Sequence, residues 1–190
     1  MSDAKSKLFN NFGGIEGLTL IQLEKFEDSR GFFQELYNRA WLDGDLFPPV
    51  YQINMSESRK RVIRGMHYQL PPFGQAKIIT CISGAIWDVV IDLRSGSKTE
   101  GKKLEVEISA ELNNALFIPA DFAHGFQSLR KKTKICYGVS KPRVVSAERV
   151  INPFDKNLSI VWPLRRPLLS DKDRLGTTLP AALGEIRGDN

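Results

Sequence analysis

The segment Arg64-Gly65-Met66-His67-Tyr68-Gln69 sets one of only two histidines three residues after an arginine. That pairing suits proton transfer beside a negatively charged substrate. An imidazole takes or gives a proton near neutrality, and a guanidinium holds an oxygen that gains charge. The second histidine lies in Phe122-Ala123-His124-Gly125-Phe126, a similar setting. A lone histidine in a β run is most often structural. His67 stands above that default because Arg64 precedes it and the polar Tyr68-Gln69 follow. Nucleophilic catalysis finds no support: there is no GxSxG elbow, and neither cysteine sits in a motif that lowers a thiol pKa. A site of two histidines and one carboxylate is chemically open, but the HxH pattern of metal-binding barrels is missing, and no metal is expected. What remains is acid–base chemistry at carbon. It needs a base, an acid on the opposite face of the substrate, and cations for the developing oxyanion. His67, Tyr137, Lys77 and Arg64 are of the right types, and the sequence leaves their convergence as an expectation.

Strands must hold these residues. Short apolar runs recur about every ten residues, the spacing of an all-β sandwich or barrel. They are Leu18–Leu23, Phe32–Tyr37, Tyr51–Met55, Val62–Gln69, Ala76–Ser83, Ala85–Leu93, Leu104–Ile108, Ala115–Ile118, Phe126–Leu129 and Lys134–Val139. Alternation puts Asp88, Val90 and Asp92 on one face, and Gln75, Lys77 and Ile79 on another. A lysine beside an apolar strand ordinarily snorkels to water. A short helix is expected over Arg39–Leu46, stopped by Pro48-Pro49. Residues 1–14 read as a short mobile start. The chain reads as a single domain over 1–190, with its core at roughly 15–164. Residues 165–190 form a C-terminal strap with short helices, and Ser170-Asp171-Lys172-Asp173 is the candidate N-terminal cap.

Composition sets the class. The chain is 42% hydrophobic and 26% charged, with net charge +5 and pI near 9.2. The clusters Arg59-Lys60-Arg61, Arg130-Lys131-Lys132 and Arg165-Arg166 read first as solvated faces, then as a pocket for a phosphorylated small molecule, and last as nucleic-acid contacts. No nucleic-acid or membrane partner is expected. No apolar run approaches membrane-spanning length, and Met1–Lys5 lacks a signal-peptide core. Cys81 and Cys136 lie in apolar runs and read as buried, reduced thiols of a cytoplasmic protein.

As an ordered set, several segments over roughly residues 15–175 resemble the dTDP-4-dehydrorhamnose 3,5-epimerase family. They are Asp28–Glu35, Gln52–Ser56, Ile63–Gln69, Gln75-Ala76-Lys77, Trp87–Arg94, Phe117–Phe126 and Trp162-Pro163-Leu164. The resemblance implies a cupin-type jelly roll, a homodimer, no metal or organic cofactor, and a nucleotide-linked 4-keto-6-deoxyhexose as substrate. It implies an isomerase of deoxysugar biosynthesis that inverts C3, C5 or both through an enolate. It makes His67 the base, oriented by Asp173, Tyr137 the acid, and Lys77 the holder of the enolate oxygen. Arg64, Arg30 and Lys172 are placed on the diphosphate or sugar. Glu35, Gln52, Asn54, His124 and Glu148 match further binding positions, with Asp88 as partner of His124.

The chain departs from the family pattern in places. Gly138 replaces the lysine usual after the tyrosine, Pro142-Arg143 replace a pair of tyrosines, and Gln52-Ile53-Asn54 replaces Gln-Asp-Asn. These changes bear on nucleotide recognition, where Arg143 could stack on a base or pair with a phosphate, and on the setting of the acid Tyr137. Two alternatives go with them: a single-carbon epimerase on a non-dTDP sugar nucleotide, and a non-catalytic nucleotide-sugar-binding cupin. A metal-dependent cupin oxygenase ranks below both.

Overall fold

A computed structural model describes residues 6–39 and 48–189. Its strands are β1 (Lys7–Phe9), β2 (Thr19–Gln22), β3 (Lys25–Asp28), β4 (Gly31–Gln34), β5 (Gln52–Ser58), β6 (Ile63–Gln69), β7 (Lys77–Ser83), β8 (Ala85–Asp92), β9 (Lys103–Ser109), β10 (Asn114–Ile118), β11 (Phe122–Ser128), β12 (Thr133–Val139) and β13 (Glu148–Val150). Two helices follow, α1 (Asp171–Arg174) and α2 (Leu179–Arg187). The helix expected over Arg39–Leu46 falls almost wholly on 40–47, outside the described residues.

Two antiparallel sheets face each other, in the orders β1-β2-β10-β7-β12-β5 and β13-β6-β11-β8-β9. This is the expected all-β jelly roll. Between the sheets pack Ile79, Leu116, Ile118 and Ile135 from the first and Ile86, Val90, Phe122 and Phe126 from the second. The outer faces are covered too. Leu179 and Ala182 of α2, with Leu158, pack on Met66, Tyr68, Val89, Ile91 and Ala123. Burial on both faces explains runs such as Val89-Val90-Ile91, where a half-exposed strand would alternate.

The chain is ordered earlier than the sequence suggested. Lys7, Leu8 and Phe9 pair with Gln22, Ile21 and Leu20. Three residues with a single buried-type contact carry too little periodicity to read. The hairpin β3–β4 stands apart as its own two-stranded sheet. The Ser170 hydroxyl accepts from the Asp173 backbone N–H at 3.2 Å, so the expected cap starts α1.

One irregularity decides the site. β6 pairs with β11 through His67 opposite His124 and Arg64 opposite Phe126, with a register shift between. Gly65 and Met66 thus oppose Gly125 alone, a β-bulge. In an unbroken strand Arg64 and His67, three apart, would point to opposite faces. The bulge turns both toward the same space. A Cβ on Gly125 would lie 2.8 Å from the Arg64 carbonyl and 3.1 Å from Gly65 Cα, and one on Gly65 would lie 2.5 Å from Gly125 Cα. Gly65 also has φ +120°, which side chains rarely adopt. The two glycines are therefore what lets the bulge close.

Candidate active site

A cavity of about 320 Å³ opens between the sheets. Its floor and walls include Gln52, Asn54, Arg64, His67, Lys77, His124, Tyr137 and Glu148, all expected from the sequence. His67 comes from β6 in one sheet. Tyr137 and Lys77 come from β12 and β7 in the other. Base and acid candidates thus stand on opposite walls.

His67 Nε2 lies 2.7 Å from Asp173 Oδ1. That engagement leaves Nδ1 as the nitrogen free to take a proton. Burial by itself raises the Asp173 carboxyl. Hydrogen bonds from His67, Ser170 and the Gly65 N–H, together with the charge of the imidazole, outweigh burial and hold it below the usual range. An ionised Asp173 fixes the ring and stabilises its protonated form. A second pair lies across the strand: His124 Nε2 is 2.8 Å from Asp88 Oδ2, and Asp88 is fully buried. Asp88 Oδ1 has no hydrogen-bond partner among the described residues, and the charge of Asp88 acts on Lys77 inside the barrel.

Lys77 does not snorkel. It sits inside the cavity, where burial pushes its ammonium down to about 8 while the charges of Asp88 and Glu148 act against that shift. No ion pair holds it among the described residues. A cation with no fixed partner is available to an oxyanion.

Glu148 bridges the rim. It accepts from Arg143 Nη2 at 2.6 Å and from Lys172 Nζ at 2.5 Å. Burial alone would raise its carboxyl, but these hydrogen bonds and charges hold it at about 2. Arg143 therefore meets a carboxylate in the free protein, which the sequence did not indicate. Lys172 and Asp173 lie in a side cleft of about 500 Å³ that shares Arg64 and His67 with the main cavity.

Gln69 is a residue that sequence reasoning missed. Its Nε2 donates to the Phe73 carbonyl at 2.7 Å, and its Oε1 accepts from the Val144 N–H at 2.6 Å. It ties the two rim loops together and so positions Arg143. Its place two residues after His67, on the same strand face, was the available signal.

Two expectations need correction, on Gly138 and Cys136, and two expected binding residues lie elsewhere. Arg30 and Glu35 do not reach this chain's own cavity: Arg30 pairs with Asp28 at 2.5 Å on the separate β3–β4 hairpin, and Glu35 is exposed beyond it. Gly138 is turned away from the site, where its Cβ would meet Val50 and Ile78, so the missing lysine there does not alter the cavity. Cys136 is half-buried rather than buried; both thiols are free, and burial pushes the Cys81 thiol up to about 12. Among the described residues no group of three His, Cys, Asp or Glu is placed to hold a metal ion.

The sequence pattern of the family described as dTDP-4-dehydrorhamnose 3,5-epimerase matches residues 13–180. A dTDP-4-dehydrorhamnose 3,5-epimerase of Shigella flexneri is 40% identical over 161 residues, covering 84% of this chain and 89% of that one. A solved dTDP-6-deoxy-D-glucose-3,5-epimerase from Legionella pneumophila, in complex with dTDP-4-keto-L-rhamnose, superposes with a TM-score of 0.87 at 32% identity, covering 94% and 97% of the two chains. A 4-keto-6-deoxy sugar epimerase from the novobiocin cluster of Streptomyces spheroides gives 0.88 at 33%, covering 97% and 92%. The jelly roll is of the cupin type, and with the His67–Asp173 pair facing Tyr137 across its cavity the chain belongs to the dTDP-4-dehydrorhamnose 3,5-epimerase family.

Proposed function

We propose that this protein epimerises C3 and C5 of a nucleoside-diphosphate-4-keto-6-deoxyhexose in deoxysugar biosynthesis. The observation that carries the reading is the placement of an oriented base and a phenol on opposite walls of one cavity, beside a lysine with no fixed partner. The 4-ketone acidifies the hydrogens on C3 and C5. His67 Nδ1 removes one, and the C–H electron pair passes into the ring to leave an enolate whose oxygen Lys77 holds. Tyr137 delivers its O–H proton to the opposite face, and the carbonyl re-forms with the carbon inverted. The proton then returns from the imidazolium to the phenolate through water before the second carbon reacts. Arg64, Lys172, Gln52, Asn54, His124 and Glu148 surround the sugar and diphosphate.

In deuterium oxide the protein is expected to introduce deuterium at both C3 and C5 of dTDP-4-keto-6-deoxyglucose, read by NMR. Exchange at one carbon alone would overturn the two-carbon reading. No exchange from dTDP-, CDP-, GDP- or UDP-linked ketosugars would overturn the epimerase reading itself.

The active form we propose is a homodimer in the cytoplasm, a compartment that suits two unpaired thiols. β5 is an edge strand whose cavity-facing residues alternate with Tyr51, Ile53 and Met55, exposed at 65%, 67% and 68%. A second copy covering this apolar edge would bring the detached hairpin, with Arg30 and Glu35, toward the other subunit's cavity. Light scattering is expected to give twice the 21.4 kDa chain mass. Met55→Glu should return the monomer, and a monomeric parent protein would exclude this arrangement.

A further inference from the structure

The three basic clusters, far apart in sequence, meet at one end of the barrel. β12 runs beside β5 with Thr133 opposite Ser58, and β11 beside β6 with Gln127 opposite Ile63. The β5–β6 turn (Arg59, Lys60, Arg61) and the β11–β12 turn (Arg130, Lys131, Lys132) are therefore adjacent. The Arg61 N–H donates to the Ser128 carbonyl at 2.8 Å, locking one to the other. The strap adds the third cluster. Leu164 N–H donates to Gln127 Oε1 at 2.8 Å, and Leu168 N–H donates to the Arg61 carbonyl at 3.0 Å. Arg165 and Arg166 lie between those two anchors.

All eight side chains are exposed, and among the described residues none of them is in an ion pair. The acids near this end include Glu57, which lies 3.8 Å from Lys134, Asp173, which shares the side cleft with Arg59 but is engaged by His67, and Glu111, beyond the uncharged Ser83-Gly84 turn. Setting these eight aside leaves 19 cations against 22 acids in the whole chain, so the chain's positive net charge is carried by these three clusters. A charge run read singly is a solvated face. Eight unpaired cations gathered by the fold from three segments are a surface that attracts polyanions.

We propose that this end is a peripheral docking surface for an anionic phospholipid membrane. Three observations favour lipid over nucleic acid. The cations sit on turns between strands and on the strap, and only Arg59 of the eight lines the side cleft, beside the acids Glu57 and Asp173, so the other seven lie outside it. No aromatic residue lies in 59–62, 130–132 or 164–168 to stack on a base. Helix α1, whose Lys172 and Asp173 share the side cleft with Arg59, has only four residues, too few to lie along a duplex groove. A flat anionic surface needs neither groove nor stacking, and clusters of 4–8 Lys/Arg are what such a surface attracts. Leu168, 43% exposed beside Arg166, offers one apolar contact. The geometry is also compatible with turnover: the exposed Gln52 and the Arg143–Glu148 rim of the cavity lie toward the ends of β5 and β12 opposite the basic turns. Docking by the basic end leaves that mouth facing water.

The test is co-sedimentation of the full chain with vesicles of phosphatidylcholine alone and with about one third phosphatidylglycerol. Binding is expected only to the anionic vesicles and should fall away by about 0.5 M salt, where the screening length drops well below its 8–10 Å at physiological strength. The variant K60Q/R130Q/K131Q/R165Q leaves the cavity residues untouched. It should lose binding by on the order of a hundredfold or more, at roughly fivefold per cation, while sugar-nucleotide exchange stays at the parental rate. No binding to anionic vesicles, equal binding to neutral ones, or undiminished binding by the variant would overturn the proposal. So would tighter binding to duplex DNA or RNA than to anionic vesicles at matched salt.

Discussion

His67→Ala is expected to abolish deuterium entry at both C3 and C5, with kcat down by about 10³–10⁴, the upper range for loss of a positioned acid–base group. One imidazole is expected to serve both carbons because His67, engaged at Nε2 by Asp173, keeps 37% of its side chain accessible, whereas His124, engaged at Nε2 by Asp88 in the same way, keeps 11%. Tyr137→Phe should behave differently. The phenol acts after the first C–H bond is broken, so exchange should survive better than inversion, and substrate should recover deuterium without changing stereochemistry. The comparison needs only NMR of the same reaction mixtures. If both variants lost exchange and inversion in equal measure, Tyr137 would not be a separate acid. If His67→Ala retained exchange at one carbon, a second base would have to exist there, and His124 would be the first to examine.

The strand runs were legible because their periodicity is strong. Ala85–Leu93, Ala76–Ser83 and Lys134–Val139 each fall within a residue or two of β8, β7 and β12. The faces were legible as well: Gln75, Lys77 and Ile79 do share a wall, and all three line the cavity. Three things were not legible. The convergence of Arg64 with His67 depends on the bulge at Gly65, which breaks the alternation that sequence reasoning uses. The Glu148 bridge to Arg143 and Lys172 joins segments brought together only by the fold, so Arg143 looked free for a nucleotide when it already has a carboxylate. The gathering of Arg59–Arg61, Arg130–Lys132 and Arg165-Arg166 depends on strand order, and a linear reading could weigh each cluster only alone. Conversely, the contact of Asp173 with His67 was expected only through family resemblance, since 106 residues separate the two and nothing local announces it.

Lys77 links the buried field of the barrel to a measurable pH dependence. Its ammonium, pushed down to about 8 by burial, is the form that holds an enolate. It is protonated below that value and neutral above it. The rate kcat/KM should therefore fall as pH rises through about 8, well below where an ordinary lysine would lose its proton. Lys77→Met keeps an unbranched chain without the charge. It should lower kcat by about 10²–10³, the usual loss for one oxyanion donor. The alkaline limb near 8 should also vanish from the residual activity. A limb that persisted unchanged in Lys77→Met would belong to another group. The neighbouring charges give an independent check on direction. Glu148 acts to raise the lysine, so Glu148→Gln should move the limb to lower pH. A shift to higher pH would mean that Glu148 acts on the limb through Arg143 or Lys172 rather than through its own field on Lys77.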